Sequence, residues 1–235
     1  PGSRASLAAP DRVKSAGTLV WCSSTDYAPF ESTVAGGPAE VGADAVGLDI
    51  DIAAEVAKRL DVTSTIDPTE WDSLLTNLNA GRCDLVISGM TSTFGGRAEK
   101  ADFIDYLRMS TGFLVASGNP KGIRTVDDLA GKSVAVQPGF STEASLRAAS
   151  DDLVAAGKPA IDIVTTAKSD QQWVEELVAG RIDALVGDTA TNAYYVDKAP
   201  YAGVSEIGGP ALDPQPIGIA VRKDDTGMKA AVAAA

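Results

Sequence analysis

Short apolar runs alternate with amphipathic stretches along most of this chain of 235 residues. The apolar runs predict strands at 18–22, 62–66, 112–116, 133–136, 161–165 and 218–221. Apolar residues at spacings of three and four predict helices before Gly81, before Gly180, over 189–196 and from near Thr226, with a helical turn at 126–129. This alternation of strands and helices is typical of an α/β fold with mostly parallel sheets.

Two further helices are predicted from residues that commonly begin a helix. Asp49 is a candidate N-cap for a helix that runs to about residue 60. The apolar face of that helix comprises Ile52, Ala53, Val56 and Leu60. Either Ser141 or Thr142 is expected to cap a second helix, which continues to about residue 149.

A short segment occurs twice and indicates how the chain is organised. Residues 78–86 (LNAGRCDLV) resemble residues 177–186 (LVAGRIDALV), and each copy is a predicted helix end followed by a strand. Gly81 and Gly180 stand where a helix ends with positive φ, a conformation that favours glycine. The separation is too long for a solenoid repeat and favours two similar α/β lobes, although helix–glycine–strand junctions also recur by chance in α/β proteins.

The repeat also suggests where a ligand would bind. In open parallel sheets, ligands bind beyond the carboxyl ends of the strands. The strand ends at 88–91 and 187–189 occupy equivalent positions in the two copies. We therefore expect the two strand ends to line one site if the lobes face each other.

Composition and charge exclude several classes of function. The net charge of −12 disfavours nucleic acid and anionic membrane surfaces as partners. With no histidine, the chain lacks Ser–His or Cys–His catalysis and the commonest metal ligand, and two cysteines are too few for a thiolate zinc site. It also lacks the Gly- and Lys-containing phosphate loop of nucleotide-binding proteins. We therefore expect no catalytic residue, no metal and no cofactor.

Two features of the sequence concern its cellular setting. Cys22 and Cys83 are interpreted as two buried thiols, with a disulfide as the alternative in an exported protein. No apolar run approaches the roughly 18 residues of a membrane-spanning helix. Residues 1–14 are interpreted as an N-terminal extension, which begins with Pro1-Gly2-Ser3, a remnant of proteolytic cleavage after expression.

Taken in order, several segments resemble one family, the bacterial extracellular solute-binding proteins of family 3, which deliver polar amino acids to ABC transporters. The matching segments are 26–30, 47–51, 70–72, 78–91, 127–132, 134–139, 179–184 and 217–223, with Arg97 before Ala101-Asp102-Phe103, and Asp188. The resemblance implies a two-lobed periplasmic-binding-protein-like fold of type II with two hinge crossings, near 109–112 and 212–217. Lobe 1 would hold residues 15–109 plus 212–235, and lobe 2 residues 110–211.

The resemblance also implies which residues bind the charged groups of an amino acid. Arg97 would hold the carboxylate through its guanidinium, with Thr91 as a further donor. Ser141, at a helix N-terminus, would add a backbone N–H. Asp188 would bind the ammonium group, with the carbonyl of Gly89 beside it.

The ligand side chain would meet a different set of residues. Tyr27 and Trp71 are the implied aromatic walls, and Gln137 would contribute to specificity. Family members that bind cationic amino acids often carry an acid where this chain has Ser24, so a neutral ligand such as glutamine is favoured. A quaternary or cyclic cation between the two rings is the alternative.

The resemblance further implies an extracytoplasmic protein, periplasmic or a cell-surface lipoprotein, which acts as a monomer and docks to a membrane permease. Two departures from the family pattern stand out: residues 91–97 contain one residue more than usual, and the chain stops at Ala235, where relatives continue. A sensor domain of a membrane receptor and a cyclohexadienyl-dehydratase-like enzyme on the same fold are the alternative functions.

Overall fold

The computed structural model describes residues 8–33, 45–166, 168–197, 202–203, 205–209 and 212–235. Its helices are α1 (Asp11–Ala16), α2 (Leu48–Arg59), α3 (Leu74–Asn79), α4 (Arg97–Lys100), α5 (Ser141–Ala155), α6 (Asp170–Val178), α7 (Thr189–Asp197) and α8 (Thr226–Ala234). Its strands are β1 (Thr18–Ser23), β2 (Ser32–Thr33), β3 (Ala45–Val46), β4 (Thr63–Pro68), β5 (Leu85–Val86), β6 (Ala101–Ala116), β7 (Ser133–Val136), β8 (Asp162–Val164), β9 (Ala184–Asp188), β10 (Ser205–Ile207) and β11 (Leu212–Arg222). Single 3₁₀ turns lie at Trp71–Ser73 and Val126–Leu129.

The chain divides into two compact units. The first unit comprises Pro1–Arg108 and Pro216–Ala235, and the second comprises Met109–Gln215. Strands β6 and β11 each contain residues of both units, so the chain passes from one unit to the other within these two strands. The lobe boundaries and hinge positions inferred from the family resemblance remain predictions.

The first unit is built on a sheet with the strand order β4–β1–β5–β11. Strands β4, β1 and β5 are parallel, and β11 runs antiparallel to β5. One face of the sheet packs against α2 and α8 through a buried cluster that includes Leu19, Trp21, Ala53, Val56, Leu85, Ile87, Val221 and Met228. A second cluster around Cys22, Leu74, Leu78, Cys83 and Val86 covers the other face.

The second unit repeats this plan with a sheet in the order β6–β9–β7–β8. Strands β9, β7 and β8 are parallel, and β6 runs antiparallel to β9. Helix α5 packs on one face through Leu146 and Leu153, and α6 packs on the other through Trp173, Val174 and Leu177. In each unit the three parallel strands are therefore bordered by a strand that runs antiparallel to its neighbour, and in the second unit β10 also pairs antiparallel with β6.

Several predicted elements differ in the structure. Helix α2 begins at Leu48 with Gly47 as its N-cap, so the prediction that Asp49 caps it is wrong: its carboxylate accepts hydrogen bonds from Gly89 and Tyr106 instead. Neither Ser141 nor Thr142 caps α5, because Phe140 occupies the N-cap position, and the helix continues to Ala155. The strands predicted at 112–116 and 218–221 are the ends of the longer β6 and β11.

Of the two interpretations of the cysteines, free thiols are wrong and the alternative is correct, because Cys22 and Cys83 form a disulfide. Their Cα atoms are 5.8 Å apart, within the range that a disulfide spans. Cys22 lies in β1 and Cys83 lies just before the neighbouring strand β5, and both are buried. The sequence could not reveal this proximity because it depends on the pairing of β1 with β5.

The internal repeat is confirmed as a structural repeat. Helices α3 and α6 each end one residue before the Ala-Gly pair, and Gly81 and Gly180 have φ of 76° and 71°. The aspartates of the two copies also make the same contacts. Asp84 accepts a hydrogen bond from the Val20 amide at 2.9 Å, and Asp183 accepts one from the Ser133 amide at 3.0 Å. Each aspartate thus joins its own strand to the neighbouring parallel strand.

These aspartates are expected to stabilise each unit through the amide contact. Asp84→Ala and Asp183→Ala remove the acceptor from a partly buried N–H, which costs about 1–3 kcal/mol of the free energy of unfolding. Asp84→Asn and Asp183→Asn retain an acceptor and lose only the ion pairs with Arg12 and Lys121, worth about 0–1 kcal/mol. Urea denaturation of the four variants measures the difference. Equal losses in the Asn and Ala variants would show that the ion pairs, not the amide contacts, are stabilising.

Candidate functional site

The candidate residues of the first unit follow the carboxyl ends of its three parallel strands. Trp71 comes after β4, Tyr27 after β1, and Gly89 and Thr91 after β5. Because these strands are adjacent and parallel, their ends lie at one edge of the sheet. Arg97 begins α4, at the end of the loop that leaves β5. The fold therefore brings all five residues to the same edge of this unit.

Tyr27 and Gly89 are in direct contact. Tyr27 is buried in a tight turn closed by its N–H, which donates to the carbonyl of Glu31, and its ring stacks on Phe30 at 5.1 Å. A Cβ atom placed on Gly89 would lie 2.4 Å from the Tyr27 ring, and Gly89 also has a φ of 54°. A side chain at position 89 would therefore displace the aromatic residue, which explains the glycine.

Arg97 is held by two aromatic rings and a carbonyl. Its guanidinium carbon lies 5.3 Å from the centre of the Trp71 ring and 5.4 Å from that of Phe94, and Nη1 donates to the Thr91 carbonyl at 3.1 Å. Partial burial lowers the pKa of this guanidinium from its usual value. Among the described residues no carboxylate forms an ion pair with it. Because a buried cation is normally paired, Arg97 is suited to an anionic ligand.

The loop before Arg97 explains how its extra residue is accommodated. Gly95 and Gly96 both have positive φ, 65° and 68°, and Gly96 is the N-cap of α4. The Arg97 amide donates to the Phe94 carbonyl at 3.2 Å, closing a tight turn. This turn brings the Phe94 ring onto the guanidinium that Trp71 also contacts. Phe94 was not predicted, and the one signal for it was the departure from the family pattern.

Behind these residues lies a pair of buried carboxyl groups, Glu31 and Asp49. Glu31 accepts a hydrogen bond from the Ser88 hydroxyl, and Asp49 accepts one from the Gly89 amide at 2.8 Å and one from the Tyr106 hydroxyl at 2.7 Å. Burial raises the pKa of Asp49 to about 6, and burial together with the charge of Asp49 raises the pKa of Glu31 well above its usual range. From the sequence alone, Asp49 was expected only to cap a helix, and no signal indicated that Glu31 would be buried.

The candidate residues of the second unit also follow parallel strands. Gln137 comes directly after β7, Asp188 is the last residue of the adjacent strand β9, and Ser141 is the first residue of α5. All three are half-buried. The Nε2 atom of Gln137 donates to the Lys168 carbonyl and to Asp170 at 3.3 Å, so its amide is already held within the unit. The topology places the three residues at one edge, and their roles towards a ligand stay predictions.

Comparison with known proteins places this architecture in a known class. The sequence profile of the bacterial extracellular solute-binding proteins, family 3, matches residues 19–235. The L-cystine-binding protein TcyJ of Escherichia coli (strain K12) is 31% identical over 223 residues, covering 94% of this chain and 77% of TcyJ. The lysine/arginine/ornithine-binding periplasmic protein of the same strain is 31% identical over 212 residues, which cover 88% of this chain and 76% of that protein. The arginine-bound form of truncated ArgBP from T. maritima superposes with a TM-score of 0.76 at 32% identity, covering 96% of this chain and 97% of that one.

The fold and these matches define a binding protein of the periplasmic type II class. The chain belongs to the bacterial extracellular solute-binding proteins, family 3. Both the family and the α/β fold class predicted from the sequence are thereby confirmed. The relatives named above are binding proteins, and the lysine/arginine/ornithine-binding protein is periplasmic. Across the described part of the chain, no helix is long and apolar enough to cross a membrane.

Proposed function

We propose that this protein binds a free amino acid outside the cytoplasm and delivers it to the permease of an ABC transporter, without converting it chemically. The observation that carries the proposal is the environment of Arg97. Its half-buried guanidinium is held by two aromatic rings and a backbone carbonyl, and no carboxylate of the described residues pairs with it. An α-carboxylate has the charge and geometry that this fork requires.

In this proposal the second unit supplies the counterpart for the ammonium group. Asp188 stands at the carboxyl end of β9, the strand that follows the same Ala-Gly-Arg repeat as β5 in the first unit. The amide of Ser141, at the start of the 15-residue helix α5, would add a donor to the carboxylate. We propose that both groups bind one ligand and that the units close on it as rigid bodies.

The relatives and the residue at position 24 guide the choice of ligand. The relatives named above bind L-cystine, basic amino acids or arginine. In this chain the position that often carries an acid in members for cationic ligands is Ser24, whose hydroxyl donates to the exposed Asp26 at 3.1 Å. We therefore propose a neutral polar amino acid such as L-glutamine, with L-arginine as the principal competitor.

A purely binding role agrees with the chemistry of the site. The chain has no histidine, and the two carboxyl groups with raised pKa values, Glu31 and Asp49, are both 0% exposed. General acid–base catalysis requires contact between such a group and the substrate. Incubation with prephenate and chromatographic analysis should therefore give no product.

A thermal-shift screen tests the proposal. Ligand carried through purification is first removed by unfolding and refolding under oxidising conditions. One of the twenty amino acids, L-cystine, ornithine, betaine or ectoine, at a hundred times its Kd, stabilises the folded state by about 2.7 kcal/mol and raises the Tm by about 5–10 °C. A Tm that stays constant with every compound would contradict an amino-acid-binding function. A shift with betaine or ectoine alone would redirect the assignment to quaternary or cyclic cations.

A further inference from the structure

Two carboxyl groups without an assigned role lie directly behind the ligand-facing strand end of the first unit. Glu31 and Asp49 are each 0% exposed. Glu31 Oε1 accepts a hydrogen bond from the Ser88 hydroxyl, whose oxygen in turn accepts the Ser24 amide at 3.0 Å. Asp49 Oδ2 accepts the Gly89 amide, and Oδ1 accepts the Tyr106 hydroxyl. The pair therefore contacts two successive residues, Ser88 and Gly89, at the end of β5.

The surroundings of the pair allow only one of the two groups to be charged. The neighbouring groups that influence the pKa values of the pair are three hydroxyls and one amide, those of Ser23, Ser88, Tyr106 and Gly89. Among the described residues no cation influences these pKa values. Two like charges in a dry environment repel each other and raise the pKa of one partner. Glu31, whose pKa is raised further, holds the proton, and Asp49 carries the charge that Gly89 and Tyr106 stabilise.

We propose that Glu31 and Asp49 are positioning residues of the ligand site, which fix Ser88 and Gly89 and thereby set the Gly89 carbonyl and the Tyr27 ring against the ligand. The inference rests on the proposed function and deepens it. Gly89 is the link, because its amide is bound by Asp49 while its Cα lies against the Tyr27 ring, where a Cβ would be 2.4 Å from a ring carbon. A shift of Gly89 would therefore change both the carbonyl for the ammonium group and the aromatic wall.

Isothermal titration calorimetry on four variants tests this role, with L-glutamine and L-arginine as probes. Glu31→Ala removes the acceptor for Ser88 and is expected to weaken binding about tenfold or more. Glu31→Gln keeps an acceptor for Ser88 and places an N–H donor where the protonated carboxyl has its O–H, so its Kd is expected within about threefold of the wild type. Asp49→Asn is expected to weaken binding because it removes the negative charge that the Gly89 amide meets. Asp51→Asn, exposed on the same helix, is the control and should leave Kd unchanged.

The pH profile distinguishes positioning from a merely structural role. Both groups have pKa values raised in the folded state, so their contribution to stability is largest at low pH and decreases as pH rises through those values. Asp49 loses its proton first, at a pKa of about 6, and the proton that remains on Glu31 is lost only at higher pH, where the pair then holds two buried charges that repel each other next to Gly89. The wild-type Kd is therefore expected to increase as pH rises through the pKa of Glu31, and the same titration of Glu31→Gln corrects for ionisation of the ammonium group of the probe. The profile of Glu31→Gln should lack this increase, because an amide does not titrate and only Asp49 of the pair still does.

The outcomes separate this inference from the proposed function. A folded Glu31→Ala protein with the wild-type Kd, or a Glu31→Gln protein with the wild-type pH profile, would overturn the positioning role while amino-acid binding stands. If Glu31→Ala does not fold, the profile of Glu31→Gln decides. If neither probe binds the wild type, the proposed function fails for them. The amide resonance of Gly89 in the ligand-free protein then tests the positioning role: well above the pKa of Asp49 it should still shift with pH in the wild type and remain constant in Glu31→Gln.

Discussion

Arg97→Ala is expected to reduce the affinity for an α-amino acid by about 30-fold or more, the largest effect of any single substitution in the first unit. Removing one partner of a desolvated charge pair leaves the other, here the ligand carboxylate, unpaired in the site, which costs about 2–5 kcal/mol. The guanidinium is already fixed by Trp71, Phe94 and the Thr91 carbonyl, so little side-chain freedom is lost when the ligand binds. Isothermal titration calorimetry with L-glutamine and L-arginine measures the change.

Two further variants show whether the loss belongs to the guanidinium. Arg97→Lys keeps the charge but lacks the planar fork, and an intermediate affinity is expected. Arg82→Ala is the matched control, since Arg82 is exposed and precedes β5, whereas Arg97 lies beyond its other end. Glutamine α-carboxamide should bind the wild type weakly and Arg97→Ala equally weakly. A Kd for Arg97→Ala within about twofold of the wild type would remove Arg97 from the site.

What the sequence could predict depends on whether the deciding interaction is local. The helix ends at Gly81 and Gly180 were predictable, because a left-handed residue after a helix favours glycine in any protein. The strand at Ser133–Val136 and the turn at Val126–Leu129 were predicted with their observed bounds, since each is short and bordered by turn residues. The positions of the site residues after strand ends followed from the same local pattern.

The interactions that the sequence missed connect distant parts of the chain. An aspartate near a helix start is commonly a cap, but Asp49 instead bonds to Gly89 and to Tyr106, forty and fifty-seven positions away. Glu31 was not singled out in the sequence, and the structure buries it with its carboxyl group bonded to Ser88, fifty-seven positions away. For these two carboxyl groups, a tertiary contact overrides the local preference. Phe94 was missed for a local reason instead, because Gly95 and Gly96 turn the chain back so that the ring contacts Arg97 three positions later.

Reduction of the disulfide between Cys22 and Cys83 is expected to destabilise the protein by about 4 kcal/mol and to lower its Tm by about 8–16 °C. The cross-link spans 61 residues, and in the chain-entropy model a loop of that length restricts the unfolded state by this amount. The protein is reduced in denaturant, because both cysteines are buried, and refolded with reductant. Calorimetry of the oxidised and reduced forms compares the same residues, and the Cys22→Ala/Cys83→Ala double variant, which also loses sulfur packing, serves as a second measure.

The same experiment tests two further points, the proposed extracytoplasmic location and the contribution of the disulfide to the ligand site. A disulfide that contributes this much stability would persist in an oxidising compartment, which agrees with the proposed extracytoplasmic location. The pairing of β1 with β5 and the contacts of Asp49 with Gly89 and Tyr106 do not involve either sulfur. Below the lowered Tm we therefore expect the Kd for L-glutamine to change less than about twofold. A reduced protein that melts within about 2 °C of the oxidised form would show that strand pairing alone fixes this part of the first unit. A reduced protein that stays folded but loses binding would show that the disulfide supports the strand ends that carry Tyr27 and Gly89.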